Sequence, residues 1–532
     1  MRNWIAVFAG LLCAVTHAQN GWMPLSREVE RPYAHALIQR GSEMHTAIRP
    51  YRLADVHQQD LNDSLRPLAL LPTLDRWAGA HNGRRFRWGP LVDASGVYDV
   101  DQSDAVKYRA GAGFWTDLDV RDKWNFHFDA QGWNERFAGY LDTLVRATQV
   151  TPGEGYAYGD APSYTHFDWN GHVSWDPGKY FNFTLGKGRN FFGEGHRSLM
   201  LSDEAYSYPY LRITTSIWKI KYVNLFTMMN DIRGADGDPG AFTRKYTSMH
   251  YLSWNVSKRL NVALFESIVW SQGDSAYPRG FDFNYVNPII FYRPVEYTIG
   301  SPDNALLGAA FNVKVGRRSL IYSQVVLDEF LLFQVREGNG WYANKQALQL
   351  GVVSHDAFKV PGLTVRGEWN FVRPFMYTHS DTRQNYSHMG QPLAHPFGSG
   401  FQEVLLHVER SHDRLFYGLR ASMAWMGNDT TWSHGNNIFR PESDRQYFTS
   451  TGQNENYGYR VGITQQSTTL HVELRAGYLV DPSSSTRLEL SWLFRERTPE
   501  SGDPTISNVI RLGVVCYFHD RHPEQEVRYV LQ

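Results

Sequence analysis

The sequence predicts an all-β fold: a transmembrane antiparallel β-barrel of roughly 16–18 strands behind a short N-terminal helical segment. Three observations carry that expectation. The first is a period of two that begins near Arg84. Trp124, Phe126, Phe128 and Ala130 alternate with Asn125, His127, Asp129 and Gln131. Leu363, Val365 and Trp369 alternate with Thr364, Arg366, Glu368 and Asn370, and Leu488, Leu490, Trp492 and Phe494 alternate with polar neighbours. Such alternation fits any half-buried strand, but these runs last about 10 to 13 residues, the length of a tilted membrane-spanning strand. The second is that short turns, such as 120–123 and 410–413, alternate with long polar stretches at 136–163, 271–303 and 426–456. That is the asymmetry of a barrel with tight turns at one end and loops at the other. The third is the closing strand Arg511–Phe518, with alternating apolar places up to a terminal aromatic; the final strand of a β-sandwich is the competing reading.

Taken in order, Met1-Arg-Asn, the apolar run Trp4–Val15 and Thr16-His-Ala18 read as a secretory signal peptide cleaved after Ala18. Cys13 lacks the small residue a lipidation site needs before it, so after cleavage Cys516 is the remaining thiol and no internal disulfide is expected. Residues 19–82 read as a helical periplasmic segment that caps or plugs one end of the barrel. One helix is expected over Ser26–Gln39, with two possible starts. Ser26 can cap it with Glu28 and Glu30 in the first turn, although Val29 holds the capping-box place, while Pro32, tolerated in a first turn, points to a start nearer Arg31. A second falls within Tyr51–Leu65. Residues 83–518 form the barrel and 519–532 a polar tail. After the leader no apolar run reaches 18 residues, so no spanning helix is expected.

With 53 basic and 54 acidic residues, the chain has no positive field to attract nucleic acid. Seventeen Trp, 30 Tyr and 30 Phe suit two interfacial aromatic girdles, though a soluble carbohydrate-active β protein would share them. Catalytic signatures such as H-E-x-x-H and G-x-S-x-G are missing. Asp231–Gly240 gathers carboxylates and glycines without EF-hand spacing and reads as a solvated turn. Lumen-side Asp129, Arg366, Glu368, Arg420, Glu473 and Arg475 read as salt bridges filling a barrel rather than as an acid/base pair. No enzyme activity, cofactor or metal is expected. The loops 377–400 and 426–457 carry Tyr377, Tyr386, Trp432, Phe439, Tyr447 and Tyr457 among amides and charges, a composition that suits sugar rings and equally suits loop packing.

The run Leu185–Asp203 holds Gly186, Gly188, Gly193 and Gly195 between two alternating segments. Its spacing matches neither phosphate-binding signature, and a structural corner inside the sheet is favoured. This run resembles the signature of the Wzi family of capsule-assembly outer-membrane proteins, in which an aromatic and glycine-rich turn precedes Ser-Leu-x-Leu-Ser. Further resembling stretches are Met44–Tyr51, Asn287–Glu296, Gly300–Gly308, Leu327–Phe330 and Asn370–Phe375. Among family members, the gliding-motility RemB-like proteins of the Bacteroidetes type look most similar. The resemblance implies a non-enzymatic outer-membrane protein that attaches or organises capsular polysaccharide, or serves surface adhesion and gliding motility. Its partners would be outer-membrane lipid, surface polysaccharide and surface proteins. The motif residues Arg189, Gly193, Glu194, Gly195, Arg197, Ser198, Arg293, Pro294 and Glu296 could serve architecture or ligand. A porin passing solutes or glycans and an outer-membrane hydrolase are the competing readings.

Overall fold

A computed structural model describes residues 21–519 apart from 40, 58–78, 82, 103, 236, 274–278, 291–302 and 483. The expected leader at 1–18, the end of the second expected helix, the tail beyond His519 and the motif residues Arg293, Pro294 and Glu296 lie outside the described residues.

Eighteen strands close into one antiparallel barrel. They are β1 (Arg84–Asp99), β2 (Val106–Val120), β3 (Trp124–Arg136), β4 (Tyr164–Trp175), β5 (Phe181–Gly188) and β6 (Tyr208–Ile217). Then come β7 (Ile220–Asp231), β8 (Thr243–Asn255), β9 (Leu260–Ser271), β10 (Asn304–Val315), β11 (Ser319–Leu327) and β12 (Gln346–His355). The wall ends with β13 (Leu363–Val372), β14 (Phe401–His412), β15 (Leu415–Met426), β16 (Ser467–Asp481), β17 (Thr486–Pro499) and β18 (Thr505–Cys516). Each strand pairs with its sequence neighbour, and β18 returns to β1 through the register Val509↔Asp99 to Val515↔Asp93. Among the described residues, closure leaves no strand of the wall as a free edge.

The wall is turned inside out relative to a soluble sheet. Trp124, Phe126 and Phe128 are exposed on the outside while Asn125, Asp129 and Gln131 are buried within. Leu488, Leu490 and Trp492 are likewise exposed, and Arg487 and Arg495 are buried. Leaving apolar side chains outside and polar ones inside suits a hydrocarbon surround rather than water. It also disposes of the β-sandwich reading.

Odd-to-even and even-to-odd connections differ as expected. The β2–β3, β6–β7 and β14–β15 turns span 121–123, 218–219 and 413–414, whereas the β13–β14 and β15–β16 loops span 373–400 and 427–466. Both ends of the wall, Arg84 and Cys516, lie at the short-turn end, so the preceding segment enters there. Cys516 is buried beside Leu91 and Trp115, and its thiol donates to the Ser484 carbonyl at 3.1 Å.

The N-terminal segment fills that end. Helix α1 (Arg27–Leu37) starts directly after Ser26, the earlier of the two starts the sequence offers, and keeps Pro32 in its interior. Proline has no N–H for the carbonyl four residues back. That carbonyl, on Glu28, accepts instead from Arg487 of the wall at 3.3 Å. A tertiary donor thus replaces the missing helical one. Helix α2 (Leu53–His57) follows, and Met23, Val29, Tyr33, Leu37, Tyr51 and Val56 pack together with Val515 and Tyr517 from the far end of the chain.

Candidate functional site

The glycine-rich run is not a corner of the sheet. After Gly188 the chain leaves the wall and residues 189–207 enter the lumen, where Phe191 and Phe192 pair antiparallel with Arg49 and Ile48 of the N-terminal segment. Two plugs, one from each end, meet inside the barrel. Phe192, Leu199, Met200 and Leu201 are fully buried against Val223, Leu225, Met249, Phe265 and Val326 of the inner wall. The main apolar core therefore lies inside the lumen.

Polar groups pin this loop residue by residue. The Glu368 carboxylate of β13 accepts the backbone N–H groups of His196 (2.8 Å) and Arg197 (3.1 Å). Gln324 of β11 accepts from the Leu199 N–H at 2.8 Å and donates to the Phe192 carbonyl at 3.2 Å. Ser198 donates to that same carbonyl at 2.5 Å, closing the turn on itself. Arg197 reaches Glu204 (3.1 Å) and Glu403 (3.4 Å), and Arg189 reaches Asp168 (3.2 Å). Glu194 accepts from Thr46 and Asn312, both at 2.6 Å, and burial pushes its carboxyl up. The Arg49 guanidinium lies 4.1 Å from the centre of the Phe191 ring and donates to the Gly193 carbonyl at 2.9 Å.

Glycine is required at two of these places. Gly193 has φ +145°, and a Cβ there would stand 2.1 Å from the Gln324 amide nitrogen. A Cβ on Gly195 would stand 2.4 Å from the Arg197 carbonyl oxygen and 2.7 Å from Glu368. Close approach of backbone to wall is what an absent side chain permits.

The loop 373–400 caps the plug. Tyr377 and Tyr386, loop aromatics that suited sugar rings and loop packing equally, are fully buried and stacked on each other at 5.8 Å. Their hydroxyls donate to the carbonyls of Leu199 and Met200, each at 2.7 Å. Burial raises both phenols far above their ordinary value, so they stay protonated donors. Neither ring reaches a ligand-accessible surface; the pair fastens the cap to the plug beneath it. Trp432, Tyr447 and Tyr457 do remain exposed, and Phe439 is half-buried.

Above the plug, at the long-loop end, a cleft of about 1180 Å³ opens between the 137–163, 232–242, 373–400 and 427–466 loops and the end of β17. One wall is Ile438 and Phe439, with the Arg233 guanidinium 5.5 Å from the Phe439 ring centre. Asn428, Asn436, Asn437, Arg440 and Arg497 add amides and charge to the lining. The 427–466 loop is shaped by Asp429, whose carboxylate accepts the N–H groups of His434 (2.9 Å), Asn436 (3.1 Å) and Asn437 (3.2 Å). Of the six aromatics singled out from the sequence, Phe439 alone lines this cleft. Asn436, Asn437, Arg233 and Tyr156 were missed; the signal within reach was the run Ser433-His-Gly-Asn-Asn437, whose amides follow a turn-forming glycine.

The other chemical candidates resolve into architecture. Asp231 is taken by Arg233, and Asp238 caps the short turn 239–241 by accepting the Gly240 N–H. Glu135, Glu154 and His166 have ligand atoms close enough to share a metal ion, but Arg109 already sits among them, 2.5 Å from Glu135 and 2.6 Å from Glu154. A fixed guanidinium there serves the charge balance that a cation would otherwise serve. Arg420 and Arg475 converge on Glu28 at 3.4 and 3.3 Å, so the lumen charges tie down the N-terminal helix.

A closed eighteen-stranded antiparallel wall, apolar outside and filled with polar and aromatic plugs inside, defines a β-barrel of the outer-membrane type. Among solved structures the chain is similar to Wzi of Escherichia coli, described as an outer-membrane carbohydrate-binding β-barrel involved in group 1 capsule assembly. The TM-score is 0.54 at 14% identity, over 92% of this chain and 99% of that one. Weaker likenesses include OprD of Pseudomonas aeruginosa (TM-score 0.42, 10% identity, 81% of this chain and 94% of that one). OccAB4 of Acinetobacter baumannii is similar at a TM-score of 0.43 and 7% identity, over 81% and 97%. No protein-family model matches the chain. Neither does any curated protein.

Proposed function

We propose that this protein resides in the bacterial outer membrane, long loops outward, and holds surface polysaccharide at the cleft in those loops without catalysing a reaction. The observation that carries the reading is the placement of a large, amide- and arginine-lined cleft directly above a plugged lumen. Sugar recognition in water combines a ring face laid on an apolar platform with hydrogen bonds to the hydroxyls, and Phe439 with Asn436, Asn437 and Arg440 offers both. The fold it shares with a carbohydrate-binding barrel supports the same reading.

Capsular polysaccharide is the favoured cargo over adhesion or gliding-motility proteins, because the cleft is concave where a protein partner asks for a broader contact. Passage of solutes is disfavoured by the two plugs that meet at Phe191–Phe192. The test is the ratio of cell-bound to shed polysaccharide in a strain lacking the protein. Normal total polysaccharide with a larger shed fraction is expected. An unchanged ratio would overturn the reading, and a large steady conductance in planar bilayers would favour the porin.

A further inference from the structure

The two ends of the barrel differ in charge. At the short-turn end, Arg121 and Lys123, Lys258 and Arg259, and Arg317 and Arg318 are exposed as pairs on the β2–β3, β8–β9 and β10–β11 turns. Lys179, Lys359 and Arg414 are exposed singly on the β4–β5, β12–β13 and β14–β15 turns. Against these nine cations stand two exposed carboxylates on the same turns, Asp122 and Asp413. The long-loop end has the reverse balance: its exposed carboxylates include Asp101, Asp104, Glu329, Glu337, Glu500 and Asp503, against the exposed cations Arg146, Arg244, Arg336 and Arg460.

Two apolar rings share the basic rim. Trp218 and Phe358 stand 75% and 87% exposed at turn tips, each directly followed by a lysine. Both adopt left-handed backbone, at φ +56° and +55°. That conformation is unfavourable for a bulky residue, and glycine or asparagine is the ordinary choice in such turns. A large ring held outward at a conformational cost, in a position facing water in the isolated molecule, is accounted for by a surface that accepts it. A headgroup layer does so, since aromatic rings partition to the membrane interface and basic side chains are attracted to anionic lipid.

We propose that the short-turn rim is a collar that binds anionic phospholipid headgroups, recruiting them from the leaflet on that side of the membrane. The cations occupy turns spread from β2 round to β15 and follow the lower border of the apolar outer wall. A ring around the circumference fits an annulus of lipid better than one docked polymer, which would ask for a continuous patch. The inference rests on the membrane placement proposed above.

The test reconstitutes the full chain into bilayers of phosphatidylethanolamine with a minor fraction of phosphatidylglycerol and measures the lipid retained on gentle extraction. A single favourable juxtamembrane cation enriches anionic lipid about fivefold locally, so enrichment of about that size is expected in the annulus. The variant K258E/R259E/R317E/R318E, which turns nine exposed cations against two carboxylates into five against six, should lose most of it while keeping its folded gel mobility, and a long-loop variant, R336E/R460E, should keep it. Bulk lipid composition around the wild type, or enrichment that survives the turn substitutions, would overturn the proposal. So would capture on isolated cell-wall sacculi, abolished by the same four substitutions, with lipid composition at bulk. Wild-type protein that fails to float with vesicles of any composition would instead overturn the membrane placement itself.

Discussion

Replacing Glu28 with Gln removes one charge and almost no volume from the junction between α1 and the wall. The Glu28 side chain is fully buried and accepts from Arg31 (2.8 Å), Arg475 (3.3 Å), Arg420 (3.4 Å) and Arg487. Arg420 keeps Glu409 at 2.9 Å and Arg475 keeps Glu489 at 3.1 Å. Arg487 would retain the Phe416 and Tyr517 rings at 4.6 and 5.4 Å. Removing one partner from a buried ion pair costs about 3–5 kcal/mol, and glutamine, which can still accept, belongs at the lower end. About 3 kcal/mol corresponds to roughly a hundredfold rise in the undocked population, read as a hundredfold loss of hydrogen-exchange protection over Arg27–Leu37 with the wall amides unchanged. Acid should mimic the substitution. Burial alone would raise the Glu28 carboxyl, but Arg31, Arg487 and Arg475 outweigh it and hold it well below the ordinary 4.5. A depressed pKa in the docked state means that the contribution is complete above the ordinary carboxylate range and is lost as pH falls below it. Unchanged protection in the variant at neutral pH would refute the claim that Glu28 ties the segment to the wall.

Gly195→Ala should force the loop away from Glu368 and Arg197, at about 1–3 kcal/mol for overpacking, seen as a lower temperature for the heat-induced gel-mobility shift. Tyr377→Phe and Tyr386→Phe each orphan a buried carbonyl, which costs about 1–3 kcal/mol; melting should fall while polysaccharide retention holds, since neither ring is at the surface. His519 lies against Asp129 and 3.6 Å from Asp168. Burial opposes its charge, yet the two carboxylates push it up to about 10. Its stabilising contribution is therefore complete below the ordinary 6.5 and declines as pH rises from there through about 10, a slope that His519→Asn should flatten in thermal melts across that range.

The wall was legible because its determinants are local. A period of two, a strand length and a turn need no partner, and Trp124–Gln131 or Leu488–Phe494 states its face without help. The plug was not legible because its determinants are remote. Glu368 meets His196 across 172 positions, and Gln324 meets Leu199 across 125. Along β13, Glu368 reads like any lumen carboxylate, and the glycines of 186–195 suit a sheet corner as well as an inward loop. The sequence left the start of α1 open for a related reason: Pro32 is unfavourable in a helix interior until Arg487 supplies the Glu28 carbonyl with another donor. Loop aromatics divide by tertiary contact alone, so Tyr386 and Tyr447 look alike in sequence and are respectively buried and exposed.

Direct binding tests the assignment of the cleft. Purified surface polysaccharide would be titrated against the detergent-solubilised barrel and against its Phe439→Ala variant, with Tyr386→Phe as the control. Removing an aromatic stacking platform should weaken binding by about 1–3 kcal/mol, or roughly fivefold to a hundredfold, while the control binds as the wild type does. Equal affinity in all three, or no binding to the wild type, would contradict the assignment of the cleft as the polysaccharide site.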